Sequence, residues 1–336
     1  MLNIRGPLLG LALLAIATPV AAQDCKQLAI VTSVDLETNK EHDAVYAPVT
    51  MEGKPELLQV DTGANLSTIT NDIAKDLSLD HEPVNVALID VNGQISSEAG
   101  RVKSFTIGNL HASKVDFIIS KSNPWGEGNM EIAGLLGADI LTNYDLEIDF
   151  GVDKLTLLSP DHCEGKVIYW PAAAVAAVPM TLTRNGDITF TVTLDGKPVT
   201  ATLDTGAYTT TLGRGYAEST YGLTGTSPGV SVIAALDKSH GSQVLSTHFK
   251  TLTFGDDQTG SITVSNPQVD LIANFMGNSG AQQYGTTASR LKSKSQAVTL
   301  PDMLLGMNVL RHLHIYIAYG EHKLYITPAS APAAKP

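Results

Sequence analysis

The sequence predicts an all-β protein of two homologous lobes related by a pseudo-twofold axis, each with a long hairpin and one or two short helices. Three observations predict it. Val, Thr, Ile and Leu recur in short alternating runs between Gly, Asn, Asp and Pro, while only 6% of residues are aromatic and 17% charged, which is strand texture. The chain also repeats itself. Glu52-Gly53-Lys54-Pro55, leading to Asp61-Thr62-Gly63-Ala64, returns as Asp195-Gly196-Lys197-Pro198, leading to Asp204-Thr205-Gly206-Ala207, offset by 143 residues (204 − 61). Each copy then closes alike, on Gly134-Leu135-Leu136-Gly137-Ala138-Asp139 and on Met303-Leu304-Leu305-Gly306-Met307-Asn308, offset by 169 (306 − 137). The second copy therefore carries 26 extra residues (169 − 143). A repeat this long indicates two packed lobes, not a solenoid with its unit of ~20–50 residues. The chain's 336 residues suffice for two cores.

The elements follow in order. Residues 1–22 carry Arg5, an apolar stretch and the small-residue end Val20-Ala21-Ala22, the pattern of a secretory signal peptide cut before Gln23. The expectation is an exported protein, periplasmic or secreted, with no stable membrane span after cleavage. Residues 23–43 are an N-terminal segment, either a short pro-piece or the first strand of an interlobe sheet. The first lobe spans 44–158. Residues 46–51 and 57–60 read as strands around the Glu-Gly-Lys-Pro turn, and 67–70 as a short strand. A helix follows over 71–77 with Asn71 as its cap. Asn92-Gly93 is a strong tight-turn signal and predicts a hairpin from 84–90 and 95–105. Residues 115–119 form another strand, and Asp139 suits the cap of a helix through Thr142. Residues 159–177 have linker composition, and the second lobe, 178–327, repeats the order with a hairpin at Lys238-Ser239-His240-Gly241. Most of the extra residues fall in 278–299, whose Gly, Ser, Gln and Ala indicate an exposed loop, and 328–336 reads as a disordered tail.

Charge and the rarer side chains narrow the function. A net charge of −12 with no basic stripe excludes a nucleic-acid partner. Two cysteines, Cys25 and Cys163, could pair in an exported chain or stand as unrelated buried thiols, and the sequence leaves both readings open. His312 and His314 alternate on a strand without further ligands beside them, so neither a metal nor any other cofactor is expected. Asn65-Leu66-Ser67 matches a glycosylation acceptor but adjoins the first Asp-Thr-Gly turn, where it would be covered.

The duplicated feature is a carboxylate delivered by a strand onto a Thr-Gly turn. A pseudo-twofold axis can bring two such turns face to face. Two carboxylates in hydrogen-bonding range cannot both ionise easily, so they share a proton. The charged member can take a proton from water while the protonated one donates to a carbonyl oxygen, with no covalent intermediate and no metal.

The paired Asp-Thr-Gly triplets, each followed by an apolar-apolar-Gly run, resemble the pepsin/retropepsin clan of aspartic proteases over nearly all of both lobes. The resemblance implies retropepsin-like lobes with Asp61 and Asp204 as the catalytic dyad. It also implies that Thr62 and Thr205 brace the turns, that Gly63, Ala64, Gly206 and Ala207 support the site, and that the strands ending at Gly137 and Gly306 pack beneath. The hairpins at Asn92 and Gly93 and at His240 and Gly241 would be flaps over substrate. Ala64 and Ala207 replace the hydroxyl residues of pepsin-like enzymes, neither flap carries their Tyr, and Ala138 and Met307 replace the Arg of viral enzymes. The chain is thus similar to a retropepsin dimer fused into one polypeptide, as in bacterial exported members of the clan. What this implies is a monomeric endopeptidase acting on an envelope or extracellular protein. The substrate would bind as an extended strand and be cut between apolar residues. Alanine beside each Asp withholds a hydroxyl donor from the carboxylate, so a mildly acidic or neutral optimum is expected. The competing reading is a catalytically silent peptide-binding or scaffold protein of the cell envelope on the same fold.

Overall fold

The computed structural model describes residues 25–39, 43–89, 94–125, 131–183, 186–237, 242–273, 290–291 and 301–331. Residues 1–22, expected to be a signal peptide, the four residues expected in flaps (Asn92, Gly93, His240, Gly241) and nearly all of 278–299 lie outside them. Among the described residues no helix is long and apolar enough to cross a membrane.

The repeated Glu-Gly and Asp-Gly pairs start each lobe in the same way. Glu52 and Gly53 have φ of 49° and 82°, Asp195 and Gly196 of 45° and 78°, the left-handed pair that a two-residue hairpin needs to match strand twist. Each turn joins a strand to its antiparallel neighbour, Ala44–Met51 to Lys54–Val60 and Ile188–Leu194 to Lys197–Leu203. The second strand of each pair runs parallel to the closing strand of its own lobe, Gly134–Leu136 or Met303–Leu305. That closing strand pairs antiparallel with Thr68–Thr70 or Thr211–Gly213. The closing strands are buried throughout, which explains their unbroken apolar sequence. Hairpins His81–Ile89/Ile95–Val102 and Ser231–Asp237/Ser242–His248 complete the repeat.

The helices correct two expectations. The first runs Asn71–Asp76 and is capped by Thr70, whose hydroxyl accepts from the Ile73 amide, so Asn71 is already helical. The second runs Ala138–Leu141 with Gly137 at its N-cap and no side-chain cap bond. Asp139 is not the cap because it already lies inside the helix; its Oδ1 accepts from the Ser67 amide at 2.8 Å, the Ser67 hydroxyl at 2.6 Å and the Ile140 amide at 3.0 Å.

A six-stranded antiparallel platform joins the lobes in the order Ile30–Asp35, Lys154–Leu158, Asp145–Asp149, Leu313–Ala318, Lys323–Pro328 and Ala176–Leu182. The N-terminal segment therefore supplies an edge strand. Cys25 and Cys163 form a disulfide that ties this segment to the interlobe stretch. That stretch is no loose linker. Val167 is fully buried and Trp170 stacks on His314, ring centroids 4.0 Å apart. Nor does the ordered chain stop at 328. The Ala329 amide donates to His312 O and the Ser330 amide to the Asp149 carboxylate, contacts that a low-complexity composition does not announce.

The platform also buries charge. His162 and Asp145 pair at 2.6 Å, and Asp145 accepts from the Tyr316 hydroxyl at 3.2 Å and the Tyr319 amide at 3.0 Å. His314 bridges Glu147 at 2.9 Å and Asp149 at 3.3 Å. Burial alone would lower the His162 pKa, but its bonds to Asp145 and the Cys163 carbonyl, with the nearby Glu321 charge, leave it raised. Burial raises Asp145, against the opposing bonds from His162 and Tyr319.

Both shifts act with one sign. A raised folded-state pKa favours the protonated native form, so the His162 contribution is complete below about pH 6.5, the ordinary His value. It is lost as pH rises through the folded value. Calorimetry should show the melting temperature falling from pH 6 to pH 9. His162→Asn should lower it throughout by breaking a buried pair, a loss of about 3–5 kcal/mol, and flatten the slope. An equal slope in both proteins would contradict this assignment.

Candidate active site

Strand Lys54–Val60 hands Asp61 to its turn, and strand Lys197–Leu203 does the same for Asp204. Each turn is anchored to its own closing strand. The Asp61 amide donates to Leu136 O at 3.0 Å and the Asp204 amide to Leu305 O at 3.1 Å. Within each turn the carboxylate folds back onto backbone donors. Gly63 N donates to Asp61 Oδ1 at 2.9 Å, and Gly206 N and Ala207 N donate to Asp204 Oδ1 at 2.9 and 3.1 Å. Both aspartates are wholly buried.

The lobes meet through a reciprocal brace. Thr62 N donates to Thr205 Oγ1 and Thr205 N to Thr62 Oγ1, both at 3.1 Å. Each hydroxyl donates onward across the axis, Thr62 to Leu203 O at 3.1 Å and Thr205 to Val60 O at 2.7 Å. The glycines explain why no larger residue follows. A methyl on Gly63 would sit 2.4 Å from Asp204 Cγ, and one on Gly206 2.3 Å from Asp61 Cγ. Each carboxyl thus packs on the other turn's glycine.

Gly137 and Gly306 support the turns from below. Their amides donate to Ser67 Oγ at 2.9 Å and Thr210 Oγ1 at 3.1 Å. A methyl at either would collide with backbone, at Leu66 C (2.8 Å) or Thr209 O (2.5 Å). Ala64 and Ala207 are buried, and their carbonyls accept from the amides of Ala138 and Met307 at 2.8 Å each. Asn65 is only 5% exposed and donates to Asp187 at 3.5 Å, so its acceptor sequence is covered.

Two sets of residues escaped sequence reading. Ser67 with Asp139, and Thr210 with Asn308, form equivalent ties, the Thr210 amide reaching Asn308 Oδ1 at 2.7 Å. They stand at the same offsets of 143 (210 − 67) and 169 (308 − 139) that define the duplication, so the alignment of the copies could have found them. The second set is one-sided. Gln59, fully buried, donates to Gly206 O at 3.3 Å and accepts from Trp125 Nε1 at 3.2 Å. Its counterpart is Thr202 (59 + 143), so the repeat conceals it. Beside it lies Tyr208, its pKa raised first by burial and then by the Asp61 charge.

Comparison with known proteins agrees with this architecture. Residues 47–140 match a family model described as aspartyl protease. The crystal structure of Basic 7S globulin from soybean superposes with a TM-score of 0.52 at 10% identity, covering 91% of this chain and 95% of that one. At that identity the likeness is one of fold. No curated protein matches the sequence.

The brace should be measurable as stability. Thr62→Val and Thr205→Val each remove one acceptor and one donor inside the interface, costing about 1–3 kcal/mol for every partner left unsatisfied. The double variant should lose less than the two singles together, because they share bonds. Urea unfolding checks this, and single losses under about 0.5 kcal/mol, the size expected of a surface change, would contradict it.

Proposed function

We propose that this aspartic-protease-like chain is an aspartic endopeptidase with Asp61 and Asp204 as its dyad. One observation carries the proposal, the reciprocal packing of each carboxyl on the other's glycine inside a braced interface. Two buried acids held together favour a state with one proton between them. The ionised member takes a proton from a water whose oxygen attacks the peptide carbonyl carbon. The protonated member gives its proton to the carbonyl oxygen. The resulting gem-diol collapses as the nitrogen is protonated, the C–N bond breaks, and a carboxylic acid and an amine leave.

The buried backbone donors on each carboxylate suit this role, because fixed dipoles around a reacting charge cost no reorganisation. The hairpins support apolar side chains beside the cut bond, since Ile95, Val232 and Ile233 are large apolar residues left about half exposed on them. The substrate would lie as an extended strand, and the enzyme would act as an exported monomer on envelope or extracellular protein.

A fully buried dyad is equally what an occluded, silent peptide-binding or scaffold protein would display, so the two readings are separated by chemistry. The mature chain from Gln23 should cut a diverse peptide mixture, with products read by mass spectrometry. Asp61→Asn and Asp204→Asn should each lower cleavage by about 10³-fold or more, as loss of one member of a concerted pair does. Peptides retained but uncut by the wild type would favour the silent reading. Because residues 64 and 207 lack hydroxyls, the pH–rate profile should peak at mildly acidic to neutral pH. A peak below about pH 3, under the ordinary Asp value near ~3.9, would overturn that expectation.

A further inference from the structure

A cavity of about 530 Å³ opens beside the second catalytic turn, within the ~300–1,000 Å³ of small-ligand pockets. Its walls are Tyr46, Trp125 and Tyr208, with Ile132 in its lining, and Glu37 and Glu131 stand exposed among the lining residues. No Lys or Arg lines it among the described residues. The Tyr46 phenol is shifted by its surroundings. Burial first, then Tyr208 and then Glu131, push that phenol's pKa up to about 12, so this part of the aromatic wall stays neutral.

The cavity is mechanically part of the site. Tyr208 is the second residue after Gly206, and the Trp125 indole bonds Gln59, which holds the Gly206 carbonyl. It is also one-sided. The duplication places Thr189 opposite Tyr46 (46 + 143), Thr202 opposite Gln59 and Asn65 opposite Tyr208 (208 − 143), so at these matched positions the other side has neither the two tyrosines nor the linking glutamine.

We infer that this cavity is a specificity pocket for a cationic side chain, Lys or Arg, of the peptide substrate, a few residues from the cut bond and on one side of it only. The inference rests on the endopeptidase reading and adds a charged determinant to it. Aromatic faces attract a cation most strongly where it is desolvated, and two carboxylates among the lining residues reject anionic side chains.

The test takes a peptide that the protein cuts and places Lys, Arg, norleucine or Glu in turn at each position on either side of the bond. At one position on one side, Lys and Arg should be favoured about tenfold over norleucine in kcat/KM, and Glu disfavoured. In the Glu37→Gln, Glu131→Gln double variant, checked for an unchanged melting temperature, the Lys-to-norleucine ratio should fall toward one. That ratio is the readout, whatever the absolute rate. In parallel, fluorescein-labelled Lys and norleucine peptides are titrated against the Asp61→Asn variant by anisotropy. Cleavage without preference for a basic residue at any position overturns the pocket and leaves the peptidase. Absent cleavage with Lys-dependent binding that the glutamate changes abolish overturns the peptidase and keeps the pocket. Neither cleavage nor Lys-dependent binding overturns both.

Discussion

Everything in this protein converges on the four hydrogen bonds that Thr62 and Thr205 make across the pseudo-twofold axis. Each threonine accepts from the other's amide and donates to the carbonyl two residues before the other. A hydroxyl can accept from an amide and donate to a carbonyl through one oxygen without bringing charge. With the turns fixed this way, the adjacent glycines must be glycine, because each is the floor on which the opposite carboxyl rests. On the proposed function, the two carboxyls placed on these glycines are the pair that would share one proton.

That arrangement needs lobes that do not drift. A platform of strands from the N-terminal segment, both lobe ends and the interlobe stretch supplies it, closed by the Cys25–Cys163 bond. In its buried His162–Asp145 and His314–Glu147 pairs the carboxylates accept further bonds, Asp145 from the Tyr316 hydroxyl and the Tyr319 amide and Glu147 from the Tyr169 hydroxyl, which offsets part of the cost of burying charge.

Much of this was legible in the sequence, for a physical reason. A pseudo-symmetric site must write its geometry twice, so the Asp-Thr-Gly turns, the positive-φ pairs at Glu52-Gly53 and Asp195-Gly196 and the closing glycines all appear in duplicate. What breaks the symmetry was hidden. Gln59 and Trp125 have no signature beyond their own side chains. Asn71 and Asp139 carry cap chemistry but were displaced from the caps by Thr70 and by the backbone of Gly137. The interlobe stretch has no strand periodicity, yet Val167 and Trp170 seal the platform because tertiary contacts decide burial there.

The central claim is that Asp61 and Asp204 act as one proton-sharing unit. The most direct measurement is the affinity of a peptide carrying a secondary alcohol in place of the scissile carbonyl, a mimic of the gem-diol that only a shared-proton pair should grip. The account predicts tight binding to the wild type and a loss of about 100-fold or more in Asp61→Asn and in Asp204→Asn alike, the scale at which analogues exceed substrates. Affinity unchanged by either substitution would contradict it.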